Sequence, residues 1–429
     1  MKPSSLPCPS LAQFLLLIAS FAFVIGVVAV ATAEDWPEFR GPTGQGLVPG
    51  GPWPTVWSAT NAVVWKQPIE GKGWSSPIVY KGRLYLTTAV SIGGDPIDHS
   101  LRAVALDAQT GQLLWTTEVF RQAGKTAAKI HSKNGHASPT PICDGTRLYL
   151  HFGHQGTAAL DLNGKILWQL TDLKYIPVYG NGGSPALVAD MLVFSCDGED
   201  QQFLIALDKA TGTTRWRMDR KCDLENKQAF STPLLIEVAG QQQIISPAAG
   251  AIIAYEPVTG REVWRVRAPP DGYSNVPRPL SGHGLVFVSD SADKPRLLAI
   301  RPDGRGDVTD THVAWTDTSA LGLTASPVLV GEELYVISDR GVGTCLDAKT
   351  GKIHWRQRIG GDYSASLLHA AGHIYFQNED GVAAVVKASK KFELVSKNDL
   401  GEAVLASYAA ADGAFFIRGE RHLFRIGSR

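Results

Sequence analysis

The sequence predicts an all-β fold, an eight-bladed β-propeller of four-stranded antiparallel blades with its ring closed by an N-terminal strand. Three observations predict it. A short hairpin motif ending in tryptophan recurs along the chain, and a hydroxyl-proline motif recurs in step with it. The last copy stops one strand short, while a spare strand stands near the N-terminus.

The hairpin motif reads Ala105-Leu106-Asp107-Ala108-Gln109-Thr110-Gly111 and closes on Trp115. Ala206 to Trp216 repeats it with Asp208, Thr211 and Gly212; Ala254 to Trp264 with Glu256, Thr259 and Gly260; Cys345 to Trp355 with Asp347, Thr350 and Gly351. Ala159 to Trp168 is one residue shorter. Ala299 reaches Trp315 only after an insertion, and an eroded copy lies near Val385 to Leu394. Each copy reads as two strands joined by a turn in which glycine accepts positive φ. The tryptophans stand at 65, 115, 168, 216, 264, 315 and 355. That spacing, about forty to fifty residues, is the period of a four-stranded blade.

The second motif is Ser76-Pro77, Ser138-Pro139, Ser184-Pro185, Thr232-Pro233, Val276-Pro277 and Ser326-Pro327, with Ala365-Ser366 and Ala406-Ser407 in the same place without proline. An apolar strand follows each. The motif and the strand that follows it each count to eight. The final copy ends at Leu423-Phe424-Arg425-Ile426, and Ala62-Val63-Val64-Trp65 supplies the missing outer strand. Closure of this kind removes the open sheet edge of a linear array. Residues 35–57 are then expected as an arm on the outside.

Among 429 residues, 41 basic side chains balance 41 acidic ones, which argues against a nucleic-acid partner. Residues 1–33 read as a signal peptide: Leu11 to Val30 is almost wholly apolar and Ala31-Thr32-Ala33 fits a cleavage site. An uncleaved membrane anchor is the rival reading. Residues 34–60 read as the arm and 61–429 as the propeller. Export implies a periplasmic or secreted protein, expected as a monomer. Cys143, Cys196, Cys222 and Cys345 remain after cleavage; the three possible pairings cannot be ranked, and buried free thiols are expected.

The Ala-x-Asp-x-x-Thr-Gly-x-x-x-Trp element resembles the tryptophan-docking motif of pyrroloquinoline-quinone (PQQ) type propellers, a family holding quinone-dependent alcohol dehydrogenases and BamB-like outer-membrane assembly lipoproteins. The resemblance implies a structural role for Trp115, Trp168, Trp216, Trp264 and Trp355, each packed between blades. Flanking stretches such as Asp35 to Pro42 and Arg301 to Thr309 look like a bacterial exported subgroup.

Ligands of propellers meet the loops that lead into the innermost strands. Here those loops carry Trp74, His131, Asn134, Tyr179, Asn181, Phe230, Tyr273, Asn275 and Tyr363, a set fit for an amphipathic or planar ligand. Aromatics filling a narrowing channel are the plainer reading. A quinone dehydrogenase needs a carboxylate base beside calcium, and these loops offer Asp362 and almost no other. It also often has adjacent cysteines, which are missing here. His131, His136, His151 and His154 crowd one blade, yet their strand positions make a shared metal awkward. Asp303, Asp307 and Asp310 lack calcium-loop spacing and read as a hairpin extension. No catalytic residue, metal or cofactor is assigned. The leading expectation is a non-catalytic scaffold of the bacterial envelope, partnered by other envelope proteins or a small ligand. A PQQ- and calcium-dependent dehydrogenase is the runner-up, and carbohydrate binding through Trp74, Tyr179 and Tyr273 the third reading.

Overall fold

Strands pair in chain order within each blade, so every sheet begins at the channel and ends at the rim. The structure, a computed structural model, describes residues 35–48, 50–93, 98–124, 130–269, 274–290, 295–319 and 322–427, together with Met1. The segment read as a signal peptide lies outside the described residues, as does Tyr273. No described helix is long and apolar enough to cross a membrane.

The described residues form eight sheets. Seven blades cover residues 78–122, 142–170, 186–219, 234–267, 280–317, 328–358 and 368–399. The eighth consists of Ala409–Ala411, Ala414–Arg418 and His422–Ile426. Its outer strand is Val63–Pro68, antiparallel to His422–Ile426 with Trp65 opposite Arg425. The innermost strands of blades 8 and 1 touch, so the ring closes as expected. Middle strands such as Leu285–Asp290 are buried on both faces, whereas the outer strand Ile166–Leu170 alternates half-buried and exposed positions. That is the pattern of sheets stacked face to face with one edge in water.

Tryptophans lock the blades together. The indole N–H of Trp115 donates to Leu162 O at 3.1 Å, Trp168 to Lys209 O at 3.1 Å, and Trp216 to Pro257 O at 2.9 Å. Trp264 donates to Pro302 O and Trp355 to Ser389 O; Trp65 and Trp315 do the same toward Ala108 O and Ala348 O. Each acceptor belongs to the third-to-fourth-strand connection of the next blade. The turn glycine is needed for this approach: at Gly260, with φ of 71°, a Cβ would lie 2.6 Å from the Trp216 ring. The turn acid holds the loop, as when Asp208 Oδ1 accepts from Thr211 N–H at 2.9 Å.

Three expectations need correction. The hydroxyl-proline motif of blades 2 and 5 sits two residues later than read, because those segments hold two Xaa-Pro pairs each. Ile142–Cys143 follows Thr140-Pro141, and Leu280–Gly282 follows Arg278-Pro279, as Ile78–Tyr80 follows Ser76-Pro77. The insertion in blade 5 is no hairpin extension. Its Gly306–Asp307 pairs in parallel with Trp264 and Arg265 of blade 4, and Arg267 binds Asp307 at 2.9 Å and Asp310 at 3.4 Å.

The third correction concerns the arm, whose residues 36–48 enter the central channel instead of lying outside; Thr55 and Trp57 do reach the outer strand of blade 7. Trp36 exchanges backbone bonds with Val79 of blade 1's innermost strand, and Cys143 N–H of blade 2 donates to Pro37 O. Ser281 N–H of blade 5 donates to Gln45 Oε1, and Leu47–Val48 pairs in parallel with Leu368–Ala370 of blade 7. Arg40, fully buried, donates to Ser326 O at 3.0 Å and Pro327 O at 2.5 Å of blade 6. Arg278 reaches Glu38 at 3.0 Å and Phe39 O at 2.6 Å. At Gly44 a Cβ would strike the Arg278 guanidinium, 2.5 Å away. The unpaired inner edges of the blades are strand templates, and the arm satisfies several of them.

Candidate functional cup

Just ahead of the channel strands of blades 1, 2, 3, 5, 6 and 7, a backbone N–H donates to a hydroxyl of the following blade. Ser76 donates to Thr140 Oγ1, Thr140 to Ser184 Oγ, and Ser184 to Thr232 Oγ1. After Arg278 breaks the series, Arg278 donates to Ser326 Oγ, Ser326 to Ser366 Oγ and Ser366 to Ser407 Oγ. This belt fixes the channel's waist. Phe39 from the plug sits across it, and above it opens a cup of about 460 Å³. The cup is therefore closed at the bottom by the chain's own arm.

Of the residues named from sequence, Trp74, His131, Asn134, Tyr179 and Phe230 line the cup. Asn134 also braces its wall, its Nδ2 donating to Tyr179 O at 2.8 Å. The other described candidates are spent on the framework. Asn181 Oδ1 accepts from Tyr175, the buried Asn275 donates to Ala248 O, and Tyr363 is buried between blades. Asp362 lies on the rim, 3.7 Å from Arg340.

The charged members of the cup were not read from the sequence. Lys133 Nζ lies 2.6 Å from Glu379 Oε1, which also accepts from Ser364 Oγ at 2.7 Å. Asp339 lines the wall, its Oδ1 accepting from Leu323 N–H at 2.9 Å. Burial pushes the Asp339 carboxyl above its ordinary range, opposed by that bond and by Lys133. Both acids sit on turns between second and third strands. Those turns face the same end as the loops leading into first strands, a topological signal that pointed to them.

The histidines do not converge. His131 is in the cup; His136 packs on His99 with ring centroids 4.5 Å apart; His151 is buried against Phe194 and within 2.9 Å of Thr157 Oγ1. Burial lowers His136 to about 4 and His151 to about 3, so both are neutral near pH 7. The described residues contain no His, Cys, Asp or Glu cluster able to hold a metal. All four described cysteines are free thiols, Cys222 half-buried and the others buried.

An eight-bladed ring with tryptophan locks, a plugged channel and one open cup defines a PQQ-type repeat propeller. The chain belongs to the family described as outer membrane protein assembly factor BamB, which it matches over residues 50–174, 97–204, 200–306 and 304–392. It is 23% identical over 301 residues to that protein from Yersinia pestis, an alignment covering 69% of this chain and 61% of the relative. The chain thus spans under two thirds of that relative's length. Its fold is similar to BamB from Moraxella catarrhalis, with a TM-score of 0.60 at 12% identity over 86% of this chain and 97% of the other. It is also similar to a quinohemoprotein alcohol dehydrogenase from Comamonas testosteroni, with a TM-score of 0.66 at 12% identity over 92% and 80%.

The second likeness raises the question of quinone and calcium. Calcium takes six to eight oxygen ligands. Among the described residues, Asp339 lines the cup wall and its Oδ1 already accepts backbone bonds, while Glu379, bound to the lining residues Lys133 and Ser364, has its Oε1 engaged by both. The belt hydroxyls are engaged between blades, and the ammonium of Lys133 is paired. This donor set does not fit a calcium-bound quinone.

Proposed function

We propose that this protein is a non-catalytic scaffold of the bacterial envelope that holds segments of other envelope proteins at its cup face. The observation that carries the reading is the cup itself: its floor is built from the chain's own arm, its wall is aromatic, and its polar groups bind one another instead of forming a reaction centre. A rigid concave site of this kind supports recognition without chemistry. Beside it, the loop leading to blade 3 exposes Ile176, Val178 and Tyr179, apolar surface suited to a protein partner. Membership of a family described as an assembly factor supports the same role.

The test is site-directed photocrosslinking in the native envelope, with the photoreactive group at His131, at Tyr179, or at Leu167 on the outer strand of blade 2. Adducts with outer-membrane proteins at the first two positions and not at Leu167 are expected. Adducts only at Leu167 would move the binding face elsewhere. Saturable dye reduction with alcohols after adding PQQ and calcium to the purified protein would overturn the non-catalytic reading.

A further inference from the structure

The cup is lopsided, and its asymmetry points to a ligand class, provided the cup is the binding face proposed above. Blades 1, 3 and 4 line it with Trp74, Tyr179 and Phe230. Across the ring, blade 6 supplies Asp339 to the wall, and blade 7 supplies Glu379, which is bound to the lining residues Lys133 and Ser364. An aromatic wall facing carboxylates in a partly dehydrated recess is the arrangement that recognises an organic cation, through the ring quadrupole on one side and charge on the other. Glu38, Arg40 and Arg278 add no charge to this surface, since they are bound to one another's segments or to carbonyls beneath Phe39.

The chain already places a cation there. Lys133 belongs to the loop leading into blade 2, and its ammonium crosses the mouth to reach Glu379 on blade 7, 2.6 Å away. Both side chains stay partly exposed, 41% for Lys133 and 22% for Glu379, so water screens the pair and it exchanges readily. Among the described residues the Lys133 ammonium is stacked over no aromatic ring; a guanidinium would have both the carboxylate and a ring face, because arginine stacks flat on aromatics while donating in its own plane. Ile176 and Val178, exposed on the loop that carries Tyr179, give apolar footing to the residues flanking such a side chain.

We propose that the cup receives an arginine side chain from an extended segment of a partner protein, its guanidinium displacing Lys133 from Glu379 and its stem lying against Tyr179 and Phe230. Lys133 is then a built-in competitor that keeps the acid paired while the cup is empty.

The experiment is calorimetric titration of the full purified protein with an acetylated, amidated Leu-Arg-Leu peptide and with the same peptide carrying citrulline. The arginine peptide is expected to bind at least tenfold more tightly. Lys133→Met should tighten it severalfold, and Glu379→Gln should weaken it tenfold or more, with melting temperatures recorded to show that both variants fold. Equal affinity for citrulline, or weaker binding by Lys133→Met, would overturn the proposal. Should the peptide fail while His131 and Tyr179 still crosslink to envelope proteins, the arginine inference falls and the scaffold reading stands. Loss of the crosslinks alone would strike the scaffold reading.

Discussion

Ser396 Oγ donates a hydrogen bond to the carbonyl oxygen of Thr55, and this contact marks where the propeller changes its lock. Ser396 faces Val385 across its sheet, the register at which Trp115, Trp168, Trp216, Trp264, Trp315 and Trp355 face their partners in the other blades. A tryptophan here would have nothing to dock on, because the outer strand of blade 8 comes from the other end of the chain and no turn joins it. The arm fills the gap instead. Trp53 stacks on Phe415 at 5.2 Å, Trp57 lies 6.2 Å from Tyr375, and Trp57 N–H donates to Asn398 Oδ1 at 2.9 Å.

It follows that Trp57→Ala should cost as much as losing a blade tryptophan, about 3–5 kcal/mol for a large buried aromatic. Equilibrium unfolding in urea measures it. Leu114→Ala, at an exposed position of blade 1's outer strand, should fall within about 0.5 kcal/mol of wild type. Equal effects at both positions would mean that the arm is not a lock.

Trp216 separates packing from hydrogen bonding. The ring covers Gly260 and the N–H reaches Pro257 O. Trp216→Ala should lose about 3–5 kcal/mol through the cavity it leaves. Trp216→Phe keeps much of the ring and should lose less, with the missing hydrogen bond itself worth about 1 kcal/mol. An unchanged melting temperature for Trp216→Ala would contradict the docking role.

The fold was legible because a blade is a local unit: its turns, its tryptophan and its alternating strands all lie within one repeat. Closure was legible because Val63–Pro68 carries at Trp65 the signature of the outer strands of blades 1 to 6. The plug was not, since residues 35–48 bind innermost strands of blades 1, 2, 5, 6 and 7 through backbone groups and two arginines, contacts that leave no periodic trace. Nearly all of the cup wall comes from the segments leading into first strands, where the aromatic and amide side chains of Trp74, His131, Asn134, Tyr179 and Phe230 were legible. Asp339 and Glu379 were not, because they stand on turns between second and third strands, outside the repeated motif that marks the first-strand loops.

Acid should loosen ring closure. Burial alone would raise the Glu402 carboxyl, but bonds from Arg421 N–H and from His422 outweigh it, and the group ends below its ordinary value. Lys66 of the closing strand lies 3.8 Å away. A depressed carboxyl adds stability that is complete above the unfolded value, about 4.3 for glutamate, and is lost as pH falls through the folded value. Stability measured in urea from pH 6 downward should therefore decline on the acid side, and Glu402→Gln should flatten that part of the decline. A variant whose acid-side slope matches wild type would remove Glu402 from the closure.

The plug hangs on a buried ion pair. Burial raises the Glu38 carboxyl, and Arg278, 3.0 Å away, opposes the shift. Burial and the neighbouring charge of Arg278 pull Arg40 down to about 9. Arg278→Met would strand Glu38 without its partner, at a cost of about 3–5 kcal/mol if the carboxylate stayed in place. Releasing the arm avoids that cost, so the expected result is an open channel on an intact propeller. Trypsin reads it directly, because Arg40 is only 2% exposed and so shielded while the plug is seated. The variant should be cut at Arg40 with its far-ultraviolet circular dichroism retained. Adding Glu38→Gln removes the stranded charge and should restore much of the protection. Continued protection of Arg40 in Arg278→Met alone would show that the backbone pairing holds the plug without the ion pair.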